Sequence, residues 1–133
     1  MEKNRFGQTS LEFLLIIAFM TIMFVSFFAL ANSRLADSVE QKSFQTASDI
    51  STIVKSQVEL VAVVNSGFST TFVMPETVDA NIYSITIIDK RELVVVYNDY
   101  EHVEFLPVNV SGQLRFGKNI LSKNISGKLS LNS

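Results

Sequence analysis

One segment limits this chain more than any other. Phe13–Ala31 reads FLLIIAFMTIMFVSFFALA, nineteen residues without a charge, whose only polar side chains are Thr21 and Ser26. At a helical rise of ~1.5 Å per residue it spans about 28 Å, close to the ~30 Å hydrocarbon thickness of a bilayer. It is apolar on every side, so it is not the one-faced helix of a small soluble core. A chain of 133 residues has too little left over to enclose it. The segment is therefore expected to insert into a membrane.

Three kinds of membrane segment fit. An ordinary signal peptide would use Lys3 and Arg5 as its basic start and be cut after Ala29-Leu30-Ala31, before Asn32. A signal anchor would remain uncut. A prepilin-type leader would be cut before the apolar run instead of after it. The run is longer than the 7–15 residues usual for a signal-peptide core. It is also preceded by Glu12, and an acid beside lipid is costly unless it has a partner or a task.

The stretch Gly7-Gln8-Thr9-Ser10-Leu11-Glu12, behind a short basic leader and ahead of a long apolar helix, resembles the class III signal peptide of archaeal type IV pilins. In that family the leader ends just before a glutamine, with serine third and glutamate fifth in the mature chain. Here Gly7 and Gln8 flank the cleavage point, and Ser10 and Glu12 occupy those two places. Ile16 stands ninth, where the family often has leucine. The resemblance covers about the first 30 residues. It implies cleavage by a membrane prepilin peptidase, and a filament core in which Glu12 contacts a neighbouring copy. Independently of it, Thr9-Ser10-Leu11-Glu12 fits a capping box, with the Thr9 hydroxyl and the Glu12 carboxylate satisfying free N–H groups at a helix start.

From Gln8 to Ser66 there is neither glycine nor proline. After Asn32 the apolar pattern becomes one-sided: Ala36, Val39, Ser43, Ala47, Ile50, Val54, Val58 and Val61 recur at a mean step of about 3.6. The expectation is one helix up to ~85 Å long. Residues 8–31 form its apolar half and 32–66 its amphipathic half, and Gly67 offers a left-handed stop. The remainder, 67–133, reads as a β-rich head. Strands are expected at Phe68–Met74, Ile82–Ile88, Leu93–Tyr97 and Tyr100–Leu106, with shorter ones near Gln113–Phe116 and Lys128–Leu131. A small antiparallel sheet with one face on the amphipathic helix gives an α+β fold. The pilin resemblance implies the same outline.

The net charge of −2 argues against a nucleic-acid partner. There is no cysteine and a single histidine, His102, which alternates with Val103 and is expected to face solvent. No catalytic set, phosphate loop, metal spacing or cofactor motif is present, so the chain reads as a non-enzyme without a cofactor. Charge is polarised: Glu76–Glu104 sums to −5 and Val108–Ser133 to +4. The simpler reading pairs the basic tail with the acidic strands inside one subunit. The other makes the two regions complementary between neighbours. Asp89, Glu92, Asp99, Glu101 and Glu104 read as solvated strand charges. Asn109-Val110-Ser111 and Asn124-Ile125-Ser126 are N-glycosylation triplets. Taken together, the sequence suggests a structural subunit, a major or minor pilin, of an extracellular filament. Its partners would be copies of itself and related pilins, with membrane lipid as the environment of the precursor. The alternative is a secreted or membrane-anchored binding module.

Overall fold

The structure is a computed structural model that describes the backbone of residues 3–133 and the side chains from Gly7 onward. Met1, Glu2 and the side chains of Lys3 and Arg5, which belong to the expected basic leader, lie outside the described residues. The first helix, α1, runs Lys3–Val63. By internal contacts the chain divides into two units, Met1–Val39 and Glu40–Ser133.

In the first unit every large apolar side chain from Leu11 to Leu30 is exposed. Nothing in that unit folds back over them. Thr21 returns its hydroxyl to the Ile17 carbonyl at 2.8 Å, so the helix itself satisfies this polar group.

The second unit contains the rest of α1 and eight strands: β1 Ser69–Met74, β2 Thr77–Val78, β3 Asn81–Ile88, β4 Glu92–Tyr97, β5 Tyr100–Phe105, β6 Val110–Ser111, β7 Gly117–Lys123 and β8 Leu129–Leu131. They form two four-stranded sheets, ordered β1-β7-β8-β6 and β2-β3-β4-β5. The expected single antiparallel sheet is therefore replaced by two, and β6 pairs with β8 in parallel. Gln113–Phe116 is not a strand; pairing begins at Gly117, opposite Met74. β2 and β6, two residues each, are too short to leave an alternation in the sequence.

The helix stripe is buried from Ser43 through Ala47, Ile50, Val54 and Val58 to Val61, with Ser51 beside it. Ala36 and Val39, its first two expected members, are exposed. They belong to the first unit, where no sheet is available to cover them. Against the buried stripe lie Phe72 and Met74 of β1, Leu121 of β7, Leu129 and Leu131 of β8, and Leu93, Val95 and Tyr97 of β4. Each buried aliphatic side chain contributes about 1.5–3 kcal/mol relative to exposure. That makes this common core the main source of the unit's stability. The buried Tyr83 hydroxyl donates to the Pro75 carbonyl at 2.6 Å, so this large side chain adds area without stranding a polar group.

Tight turns set the hairpins. Asn98 and Asp99 take φ of 47° and 62° between the paired residues Tyr97 and Tyr100, a two-residue turn whose twist suits the strands. Asp89 and Lys90, with φ of 50° and 64°, open a three-residue connection, Asp89-Lys90-Arg91, between the paired Ile88 and Glu92, in which the Arg91 N–H bonds the Ile88 carbonyl. Gly112 has φ of +103°, and a β-carbon there would run into the Leu131 carbonyl, so this crossing of the chain past β8 requires glycine.

The helix ends at Val63, slightly before the expected Ser66. Its last turn carries no basic residue of its own. Lys123, from the far end of β7, supplies the charge: its Nζ donates to the carbonyls of Ala62 at 2.9 Å and Val64 at 2.8 Å. A cation there satisfies otherwise unpaired carbonyls and complements the helix dipole. Gly67 takes the left-handed conformation, and its N–H bonds the Lys123 carbonyl.

Candidate functional site

Two regions of the molecule are candidates for function: the N-terminal part of α1 and the outer surface of the β head.

Gly7, Gln8, Thr9 and Glu12 all lie within α1, and all are exposed. Thr9 does not stand at a helix start, because in this uncut chain α1 is already helical at Lys3. The expected cap is therefore corrected for this form. Gly7 has ordinary helical surroundings, and a β-carbon placed on it meets nothing within 4 Å. Packing does not demand glycine there, and glycine inside a helix costs up to about 1 kcal/mol relative to alanine. Glu12 stands one residue before Phe13, at the edge of the apolar surface. The described part of this helix, Gly7–Val63, is long and apolar enough to cross a membrane, and its most apolar stretch is not buried by the rest of the chain. The N-terminal segment is thus suited to membrane insertion or secretion.

On the head, the charges do not pair as the simpler sequence reading expects. Among the described residues, the ion pairs join the acidic strands to the helix, not to the basic tail. Lys55 donates to Glu104 at 2.6 Å, and Lys42 lies 3.5 Å from Asp79. The Lys55 hydrogen bond holds the Glu104 carboxyl below its ordinary range, against the opposing effect of burial. Lys55 is raised in return, first by that same bond. Glu104 is therefore not a freely solvated strand charge. His102 does not face solvent either. It shares the inner face of β5 with Glu104, and its ring meets Phe44 of α1 edge-on at 5.8 Å. Its buried Nε2 makes no hydrogen bond and lies 3.5 Å from a Glu104 oxygen. The alternation places His102 and Val103 on opposite faces, as read from sequence, but the helix covers the histidine side.

Arg115, Lys118 and Lys128 are exposed and form no ion pair among the described residues. Two asparagines hold the Arg115 backbone against β7. Asn119 is fully buried on β7. Its Oδ1 accepts from the Arg115 N–H at 2.9 Å, and its Nδ2 donates to the carbonyls of Arg115 at 2.7 Å and Gly117 at 3.1 Å. Asn132 donates a further bond to Asn119 Oδ1 at 2.9 Å and accepts one from the Ile120 N–H. Sequence reading missed both residues. A lone asparagine inside a strand pattern was the available signal.

The outer faces of the two sheets differ in character. On β3, β4 and β5 the cross-strand rows Thr86–Val94–Val103 and Ser84–Val96–Glu101 point away from the core, and Ile88–Glu92–Phe105 closes one end. This face is apolar, with carboxylates among its members. On β1 and β7 the outward rows are Thr71–Ile120 and Val73–Lys118.

Both sequon asparagines are exposed. Asn109 precedes β6. Asn124 opens the β7–β8 turn, where its Oδ1 accepts the Lys128 N–H at 2.9 Å.

Comparison with protein-family models, with curated proteins and with solved structures gives no match.

Proposed function

We propose that this chain is a structural subunit of a type IV pilus-like extracellular filament, made as a single-pass membrane precursor and assembled through its N-terminal helix. The observation that carries this reading is the fully exposed apolar surface of α1 from Leu11 to Leu30, joined to a chain whose second unit buries a complete core of its own. A soluble protein does not leave such a surface bare. Lipid covers it in the precursor, and equivalent helices of neighbouring copies cover it in the filament.

The pilin-like Gly7-Gln8 junction supplies the switch between those two states. Cleavage there by a membrane prepilin peptidase removes the basic leader, which holds the N-terminus on the cytoplasmic side. It also creates a positive α-amine on Gln8. That amine is the partner for Glu12 of an adjacent copy in an apolar core. The role is structural, without catalysis or a cofactor, and the β head forms the outer surface that makes surface contact. Asn109 and Asn124, exposed on that head, are the positions for glycan attachment.

N-terminal sequencing of the protein recovered from cells, together with electron microscopy of sheared surface material, tests the proposal. A start at Gln8 with filaments containing this chain is expected. A start at Asn32 in the medium makes it a secreted module, and an uncut chain in the membrane makes it an anchored one.

A further inference from the structure

The charge distribution leaves two surfaces of the head without partners inside the subunit. The outer face of β3-β4-β5 presents Val94, Val96, Val103 and Phe105 with Glu92 and Glu101 beside them. The outer face of β1-β7 presents Val73 and Ile120 with Lys118, and Arg115 is held near that strand by Asn119. The inner faces of both sheets are spent on the common core. Helix lysines take up Asp79 and Glu104, whereas Glu92, Glu101, Arg115 and Lys118 have no ion-pair partner among the described residues.

We propose that the apolar, acidic face of β3-β4-β5 docks on the basic face of β1-β7 of a second copy of this chain. The inference rests on the filament reading above, and it names the head contact within it. Charge complementarity chooses the occupant. Two acidic faces repel each other, as do two basic ones, whereas one of each attracts and fixes register. The apolar rows supply the area that is worth removing from water. Because the two faces are different surfaces of one subunit, the contact is heterologous. Each copy keeps one face free for the next, so association extends instead of closing into a dimer.

The chain contains no cysteine, so introduced thiols have no background. Full-length Val103→Cys and Ile120→Cys chains are expressed together in cells and treated with a short bis-maleimide. A covalent dimer is expected from the mixture and only a trace from either chain alone. A chain carrying both substitutions gives a ladder of higher products. Adding Glu101→Lys to the Val103→Cys chain lowers the dimer about five-fold or more, and Lys118→Glu on the other chain restores it. The pair Phe105→Cys and Val73→Cys repeats the test with different side chains, in case one substitution prevents folding.

Equal cross-linking of Val103→Cys with itself, cross-linking only to other proteins, or indifference to Glu101→Lys overturns the proposal. Filaments without the mixed cross-link reject this contact and leave the filament reading standing. The mixed cross-link from a chain that does not start at Gln8 and forms no filament does the reverse.

Discussion

Asn119 offers the sharpest test of how the head is held. Its side chain is fully buried and takes part in four hydrogen bonds, two of them as donor to the Arg115 and Gly117 carbonyls. Asn119→Asp keeps the shape and reverses the chemistry, because both donors become acceptors aimed at carbonyl oxygens. Each buried polar group left unpaired costs about 1–3 kcal/mol, and the buried oxygen that replaces Nδ2 loses both of its partners, so the exchange costs about 1–3 kcal/mol before any charge is counted. Burying the new carboxylate adds to that. Small domains are stable by about 5–15 kcal/mol in total, so this one exchange is expected to leave the head marginal or unfolded at neutral pH.

Urea unfolding followed by circular dichroism, on chains beginning at Asn32, measures the loss. Burial favours the neutral acid in the folded state, so the introduced group has a raised folded pKa. The deficit should therefore shrink as pH falls and more of the unfolded chain becomes protonated as well. Asn119→Ala leaves the same carbonyls unpaired without a charge, and its deficit should be independent of pH. An Asn119→Asp chain within about 0.5 kcal/mol of the parent at neutral pH refutes the reasoning, since that is the range of an ordinary surface change.

Four further outcomes are expected. A chain beginning at Asn32 is soluble, monomeric and mixed α/β in circular dichroism, whereas one that keeps Phe13–Ala31 requires detergent; gel filtration checks both. Gly7→Val accumulates as a slower-migrating membrane precursor on immunoblots, without loss of fold, because a side chain at Gly7 meets nothing within 4 Å but obstructs a peptidase at the backbone. Glu12→Leu is inserted and cleaved but yields at most about a tenth of the normal sheared filaments, since a charge pair at ~4 Å with an effective dielectric near 20 contributes about 4 kcal/mol before desolvation; Glu12→Gln separates a charge role from a hydrogen-bonding one. The Lys55–Glu104 pair stabilises the head above the ordinary carboxylate value of 4.5, and that contribution disappears as pH falls through the lowered Glu104 value. Thermal melts of parent and Glu104→Gln chains should therefore differ at neutral pH and converge in acid.

What the sequence by itself determined was carried by neighbours along the chain. An uncharged run of bilayer length and a 3.6-residue stripe read from Ala36 to Val61 are local patterns; the run lies in α1 where it was read, and the stripe is buried from Ser43 onward. The tertiary structure decided which distant segments meet. It divided the strands into two sheets, because β7 pairs with β1 and β8 pairs with β6, across separations that no local period encodes. It gave the helix end to Lys123 and the Arg115 turn to Asn119. It also gave Glu104 to Lys55. Net charge along the sequence suggested that the tail pairs with the acidic strands, but ion pairing acts over a few ångströms. The helix, whose Phe44 packs on Tyr100 and His102 of β5, brings Lys55 within that range.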